Sequence, residues 1–142
     1  MVDLANVSFE ETFQYDCRVF PVPRPGFLQR WLTMPESAAL GLVKDGALRG
    51  YGVVRRCRNG YKIGPLLADD EAVAEALFVS LTSRLEPGTP VFLDTPGVNA
   101  AAPRLAERHR MKPIFETARM YTKEPPDLAL DKVFGVTSFE LG

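Results

Sequence analysis

Two cysteines, Cys17 and Cys57, stand far apart with no partner motif around either. Neither a disulfide framework nor a zinc site of paired thiols is therefore expected. The one histidine, His109, sits between Arg108 and Arg110 at the end of an expected helix, where a cation suits the helix dipole better than a triad or a metal would. No nucleophile elbow, phosphate-cradling loop or Cys/His cluster is present. Charge of either sign is scarce as a block: 17 Lys and Arg balance 18 Asp and Glu, and the longest like-charged run is Asp69-Asp70-Glu71. That argues against nucleic acid and against an anionic membrane surface as partners. The pairs Arg55-Arg56 and Arg108-His109-Arg110 read as solvated faces. Long apolar runs are missing too, and MVDLANVSFEE has neither a basic segment nor an apolar core, so no membrane association and a cytoplasmic chain are expected.

What is present fits one domain over residues 1–142: 46% hydrophobic residues and 25% charged ones are enough for a single core. The most informative stretch is Tyr61 to Leu85, a strand ending at Leu67, a turn through Ala68-Asp69-Asp70, and an amphipathic helix. Val73, Leu77, Leu81 and Leu85 recur four apart in it, widened by Ala74 and Phe78. Before it, Ser8 with Glu11 makes a capping box for a helix over residues 9–18 that carries Phe9, Phe13 and Cys17. Pro25 opens a second helix bearing Phe27, Leu28, Trp31 and Leu32, so residues 1–36 form a helical part. Asp45-Gly46 and Asn59-Gly60 then join three strands into an antiparallel meander.

Beyond the central helix, Val91-Phe92-Leu93-Asp94 reads as a short buried strand, parallel to the first by a βαβ crossover. Asn99 is a good N-cap for a helix from Ala100 to Arg110, and Ile114 to Lys123 reads as a last strand. Residues 38–123 are then the core sheet and helices. The tail, residues 124–142, is apolar enough at Leu128, Leu130, Val133, Phe134 and Phe139 to dock on the body. The class is α/β, with a mixed, mostly antiparallel sheet and helices on both faces.

The second half resembles the GNAT acyl-CoA N-acyltransferases, most specifically from Asn99 onward, where Asn99, Ala102, Leu105, Glu107, Arg108 and Met111 fall on the family's pattern. Nearly the whole chain is similar to the C-terminal domain of two-domain GNAT proteins. Tyr15-Asp16, Arg24, Phe27-Leu28, Trp31, Gly50-Tyr51-Gly52, Ile63-Gly64-Pro65-Leu66, Arg119-Met120-Tyr121 and Gly135-Val136-Thr137 carry that narrower likeness. The resemblance implies acyl transfer from acetyl-CoA to an amine, with the pantetheine arm along Gly64, Pro65, Leu66 and Leu67 and with Asn99 near the cofactor. Two motifs depart from it. Ala68, Glu71 and Val73 stand where the family has Gln or Arg and two glycines, with Asp69 and Asp70 between them, and Ala106 stands at the general-acid tyrosine. Three carboxylates at a helix N-terminus each stabilise the helix by roughly 0.3–1 kcal/mol, and they repel a diphosphate.

Asp94, at the carboxyl end of its strand, and Glu140 are the candidate base residues. A turn-capping role beside Thr95-Pro96 suits Asp94 better than catalysis does. Tyr51 and Arg55 share a face of one strand by even separation, with Tyr61 on the adjoining strand, and Arg119 and Tyr121 share a face of the last. If those faces coincide, they line a pocket for a carboxylate or a small polar amine. Two readings follow: an acetyltransferase acting on a small-molecule amine, or a non-catalytic GNAT-fold ligand-binding or interaction domain, accessory to a catalytic GNAT domain. A homodimer is a further expectation.

Overall fold

A computed structural model describes residues 1–118 and 120–139 of the chain. The first helix, α1 (Phe9–Val19), starts as the capping box requires, with Ser8 Oγ accepting the Glu11 N–H at 3.2 Å. Its buried face is Thr12, Tyr15, Asp16 and Val19, not the Phe9, Phe13 and Cys17 stripe; Phe9 is exposed and stacks on Phe13. Polar residues can take the inner face because their partners are buried with them. Asp16 accepts two hydrogen bonds from Arg24 at 2.9 Å each and one from the Tyr51 hydroxyl at 2.7 Å. The second helix, α2 (Pro25–Leu32), begins on its proline and buries Leu28.

The strands are β1 (Val2–Asp3), β2 (Ser37–Lys44), β3 (Ala47–Cys57) and β4 (Gly60–Ala68), each antiparallel to the next in the sheet. Asp45 and Gly46 both have positive φ, 54° and 73°, the two-residue hairpin turn that their sequence demands. Strand β1 has no sequence signal, since two residues carry no period. Helix α3 (Glu71–Thr82) follows β4 and buries Val73, Ala74, Leu77, Phe78 and Leu81, the expected stripe. It leads to β5 (Val91–Leu93), which lies parallel to β4. β5 is half-buried rather than buried, because among the described residues it pairs only with β4 and so stands at the sheet edge.

Helix α4 spans Ala101–Arg108 and is shorter than expected at both ends. No described residue between Ile114 and Lys123 is in a strand, and Ile114, Phe115 and Met120 are exposed. The pairing goes instead to β6 (Val133–Gly135), antiparallel to β4. β3 occupies one edge of β4 along its length, so β5 and β6 share the other: β5 beside Tyr61–Ile63, β6 beside Leu66–Leu67.

Two apolar layers clamp the sheet. Leu40, Val54, Ile63, Leu66, Leu77 and Phe134 pack on the α3 and α4 side. Tyr15, Leu28, Tyr51, Val53 and Leu67 pack on the α1 and α2 side. Each such side chain, fully buried, contributes about 1.5–3 kcal/mol. The fold is therefore a mixed, mostly antiparallel sheet with a β4-α3-β5 crossover and helices on both faces.

Candidate functional site

The parallel strands β4 and β5 separate after Ile63 and Leu93, where their pairing stops. Pro65 has no N–H to donate, and the register of β3 against β4 shifts between Gly52 and Val54, so β4 is bulged here as a proline within a strand requires. The opening is where the resemblance places a pantetheine arm. It is filled by the chain's own tail.

Gly135 lies opposite Leu66 and Val133 opposite Leu67, and the Val136 N–H donates to the Asp94 carbonyl at 2.9 Å, closing the gap to the end of β5. A Cβ on Gly64 would stand 2.5 Å from the Val136 carbonyl oxygen and 2.8 Å from that of Thr137, so only glycine lets the tail pass this close. Asn99 Nδ2 donates to the carbonyls of Asp131 and Val133 at 3.1 and 2.9 Å, while its Oδ1 accepts the Ala101 N–H at 3.1 Å. The N-cap of α4 is Ala100, not Asn99; one residue earlier, Asn99 accepts the Ala101 N–H and spends its amide on the tail. Residues 133–138 are all buried, with Phe134 only 1% exposed.

The N-terminus of α3 is closed in the same way. Asp70 Oδ1 accepts the Val73 N–H at 2.9 Å, and Glu71 accepts hydrogen bonds from Arg104 and Arg108. Asp69 accepts from the Tyr15 hydroxyl at 3.1 Å and from Lys132 at 3.0 Å. Burial alone would raise the Asp69 pKa, but the hydrogen bonds from Lys132 and Tyr15 and the Lys132 charge outweigh it and hold the carboxyl below its ordinary range. Hydrogen bonds from Arg108 and then Arg104 lower that of Glu71. A diphosphate at this helix end would meet ionised carboxylates already paired to the chain's own cations. The residues present do not fit an acyl-CoA in this opening.

The remaining candidates fall in three places. Tyr51 is fully buried, edge-on to Tyr15 with ring centroids 6.1 Å apart, and burial followed by the Asp16 charge pushes its phenol well above the ordinary value. It is a core residue with no exposed surface. Tyr61 packs into the α3 layer, on the opposite face from Tyr51, because it pairs with Arg56, which lies an odd number of residues from Tyr51 along β3. Arg55 is half-buried with its guanidinium 5.2 Å from the Trp31 ring, and Asp94 forms an ion pair with Lys62. Tyr121 is 44% exposed, on the segment whose described residues are in no strand. Arg119 and Glu140 lie outside the described residues.

Lys62 and Lys132 were not singled out in the sequence, and Trp31 and Thr137 were named there for packing and family likeness rather than as site residues. Lys62 was within reach: the Asn59-Gly60 hairpin sets Cys57 opposite Gly60, which puts Arg55 opposite Lys62. Among the described residues no group of three or more His, Cys, Asp or Glu side chains is placed to hold a metal, and no helix is long and apolar enough to cross a membrane.

Comparison with known proteins supports this arrangement's ancestry. Residues 12–135 match the model of the acetyltransferase (GNAT) domain family. A curated relative, holothin acyltransferase from Pseudoalteromonas sp. (strain SANK 73390), is 26% identical over 135 residues, covering 95% of this chain and 46% of its own. A solved Pyrococcus horikoshii structure assigned to the acetyltransferases superposes with a TM-score of 0.70 at 20% identity, over 99% of this chain and 45% of that one. The ribosomal-protein-alanine N-acetyltransferase from Brucella melitensis biovar Abortus 2308 superposes at 0.56 with 15% identity, over 89% of this chain and 95% of its own. This chain spans about half the length of the curated relative. With a GNAT family model covering residues 12–135 and the GNAT sheet around it, the chain belongs to the GNAT acetyltransferase-domain family.

Proposed function

We propose that this chain is the half of an acyltransferase that does not bind acyl-CoA, an accessory GNAT domain that completes or braces a catalytic GNAT half. The observation that carries this reading is the pairing of Val133–Gly135 with Leu66–Leu67, along the strand where the family's pantetheine arm would lie. The carboxylates at the start of α3 and the absence of a hydroxyl at Ala106 agree with it. Acetyl-CoA as donor, a small-molecule amine as acceptor and a cytoplasmic setting belong to this reading as properties of the whole enzyme. The relative that matches nearly all of this chain is about twice its length, which leaves room for a catalytic half. Calorimetric titration of the chain with acetyl-CoA and desulfo-CoA tests it. The expected result is no binding heat at millimolar ligand; saturable micromolar binding contradicts it.

A second reading is favoured by one feature, the bulged β4 that the family uses to hold its cofactor and that this chain retains. In it the chain transfers acyl groups itself after the tail is withdrawn. Asn99→Ala, which removes both amide hydrogen bonds to the tail, separates the two. The accessory reading predicts that the variant still ignores acetyl-CoA, and the second predicts that it gains affinity.

A further inference from the structure

On the sheet face covered by α1 and α2, Arg55 on β3 stands directly opposite Lys62 on β4. Two like charges opposed in an antiparallel pair repel, so each needs an anion. Lys62 has one in Asp94, two residues beyond its β5 neighbour Phe92. Arg55 has none among the described residues, and its Nε is buried without a hydrogen-bond partner. A buried donor left unpaired is unfavourable, and more so on a charged group.

The surroundings are built and partly apolar. The Arg55 guanidinium faces the Trp31 ring at 5.2 Å, and Trp31 is held in place by donating Nε1 to the Gly64 carbonyl at 2.9 Å. The tail passes over the same glycine, and the Phe139 ring lies 5.1 Å from Lys62 Nζ. Thr137 on that tail is 1% exposed and its Oγ1 also has no hydrogen-bond partner. An unanswered guanidinium, an unpaired buried hydroxyl and two aromatic rings share one neighbourhood.

The geometry points to a binding site for a small organic monocarboxylate, its carboxylate on the Arg55 guanidinium and its apolar body against Trp31 and Phe139. A guanidinium presents a planar fork that matches a carboxylate. Among the described residues the charge count favours one negative charge over two: Arg55 and Lys62 against Asp94 leave a single uncompensated positive charge, and Asp94 repels a second negative one. This site needs no acyl-CoA, so a chain that ignores acetyl-CoA leaves it standing.

The probes are phenylacetate, acetate and inorganic phosphate, titrated by calorimetry and by the emission of Trp31, the one tryptophan in the chain. The expected result is a saturable change in Trp31 emission with phenylacetate, at least tenfold weaker binding of acetate, and no binding of phosphate. Arg55→Met weakens phenylacetate at least tenfold. Arg56→Met, which removes an exposed arginine paired with Glu36, leaves it unchanged. Unchanged emission with phenylacetate overturns the assignment, as does phosphate binding as tightly as phenylacetate. So does wild-type affinity in a folded Arg55→Met protein. Should that variant not fold, the ranking of the three probes on the unaltered chain decides.

Discussion

At the scale of single residues, the sites that decide this molecule are polar groups whose partners are distant in the chain. Asn99 serves carbonyls 32 and 34 residues further on, and no local pattern encodes such a pairing. Its place at the start of α4 was legible to within one residue, because the bond from Ala101 is local; its tail-holding half was not. Removing its amide leaves two carbonyls unserved, so Asn99→Ala is expected to lose about 1–3 kcal/mol in urea denaturation. Asp16 is 1% exposed and holds Arg24 and Tyr51 at once. Asp16→Ala deprives the Arg24 guanidinium, 14% exposed, and the fully buried Tyr51 hydroxyl of their partner, and a loss of about 3–5 kcal/mol is expected by the same measurement. Gly64→Ala presses a methyl onto tail backbone oxygens that have no rotamer to escape into. An overpacking cost of about 1–3 kcal/mol is expected there, with the melting temperature as readout.

Whole elements behave more as their own residues dictate. The capping box of α1, the two hairpins and the stripe of α3 were legible because each is set by contacts within a few residues. Ile114 to Lys123 has strand-forming residues and no described residue in a strand, because a strand exists only where an edge is open to it. The free half of the β4 edge is taken by β6. Tyr51 was misplaced for a related reason: even spacing gives a face, and only packing decides whether that face meets solvent or α1.

Charge between elements gives a prediction of its own. Glu71 on α3 is held below its ordinary value by hydrogen bonds from Arg108 and Arg104 on α4. Burial works to raise Glu75, but Arg108 and His109 outweigh it. A carboxyl whose folded pKa is depressed contributes stability that is fully present above its unfolded value, near 4.5, and lost as pH falls through the folded value. Denaturant midpoints are expected to fall as pH drops below about 4.5, and to fall less in a Glu71→Gln, Glu75→Gln double variant. Both side chains stay partly exposed, 35% for Glu71 and 34% for Glu75, so the difference between the two proteins shrinks with added salt.

At the scale of the molecule, the tail is what turns a recognisable fold into a question about function. Its docking was legible in the apolar residues Val133 and Phe134, but its location was not, since a three-residue strand has no period and its partner lies on β4. Phe134 packs with Leu66 and Leu77 in the α3 layer, so the segment that fills the opening is also part of the core. Phe134→Ala is expected to lose about 3–5 kcal/mol in urea denaturation, a cost that a loosely attached flap would not show. A chain that used this opening for acyl-CoA would have to give up that burial each time it bound the cofactor.

Amide hydrogen exchange at Val136, whose N–H bridges to the end of β5, tests this most directly, measured with and without saturating acetyl-CoA. The account predicts a protected amide, exchanging at a rate close to that of the central β4 amides and unchanged by acetyl-CoA. Rapid exchange without ligand, or protection lost when acetyl-CoA is added, would contradict it and return the opening between β4 and β5 to the cofactor.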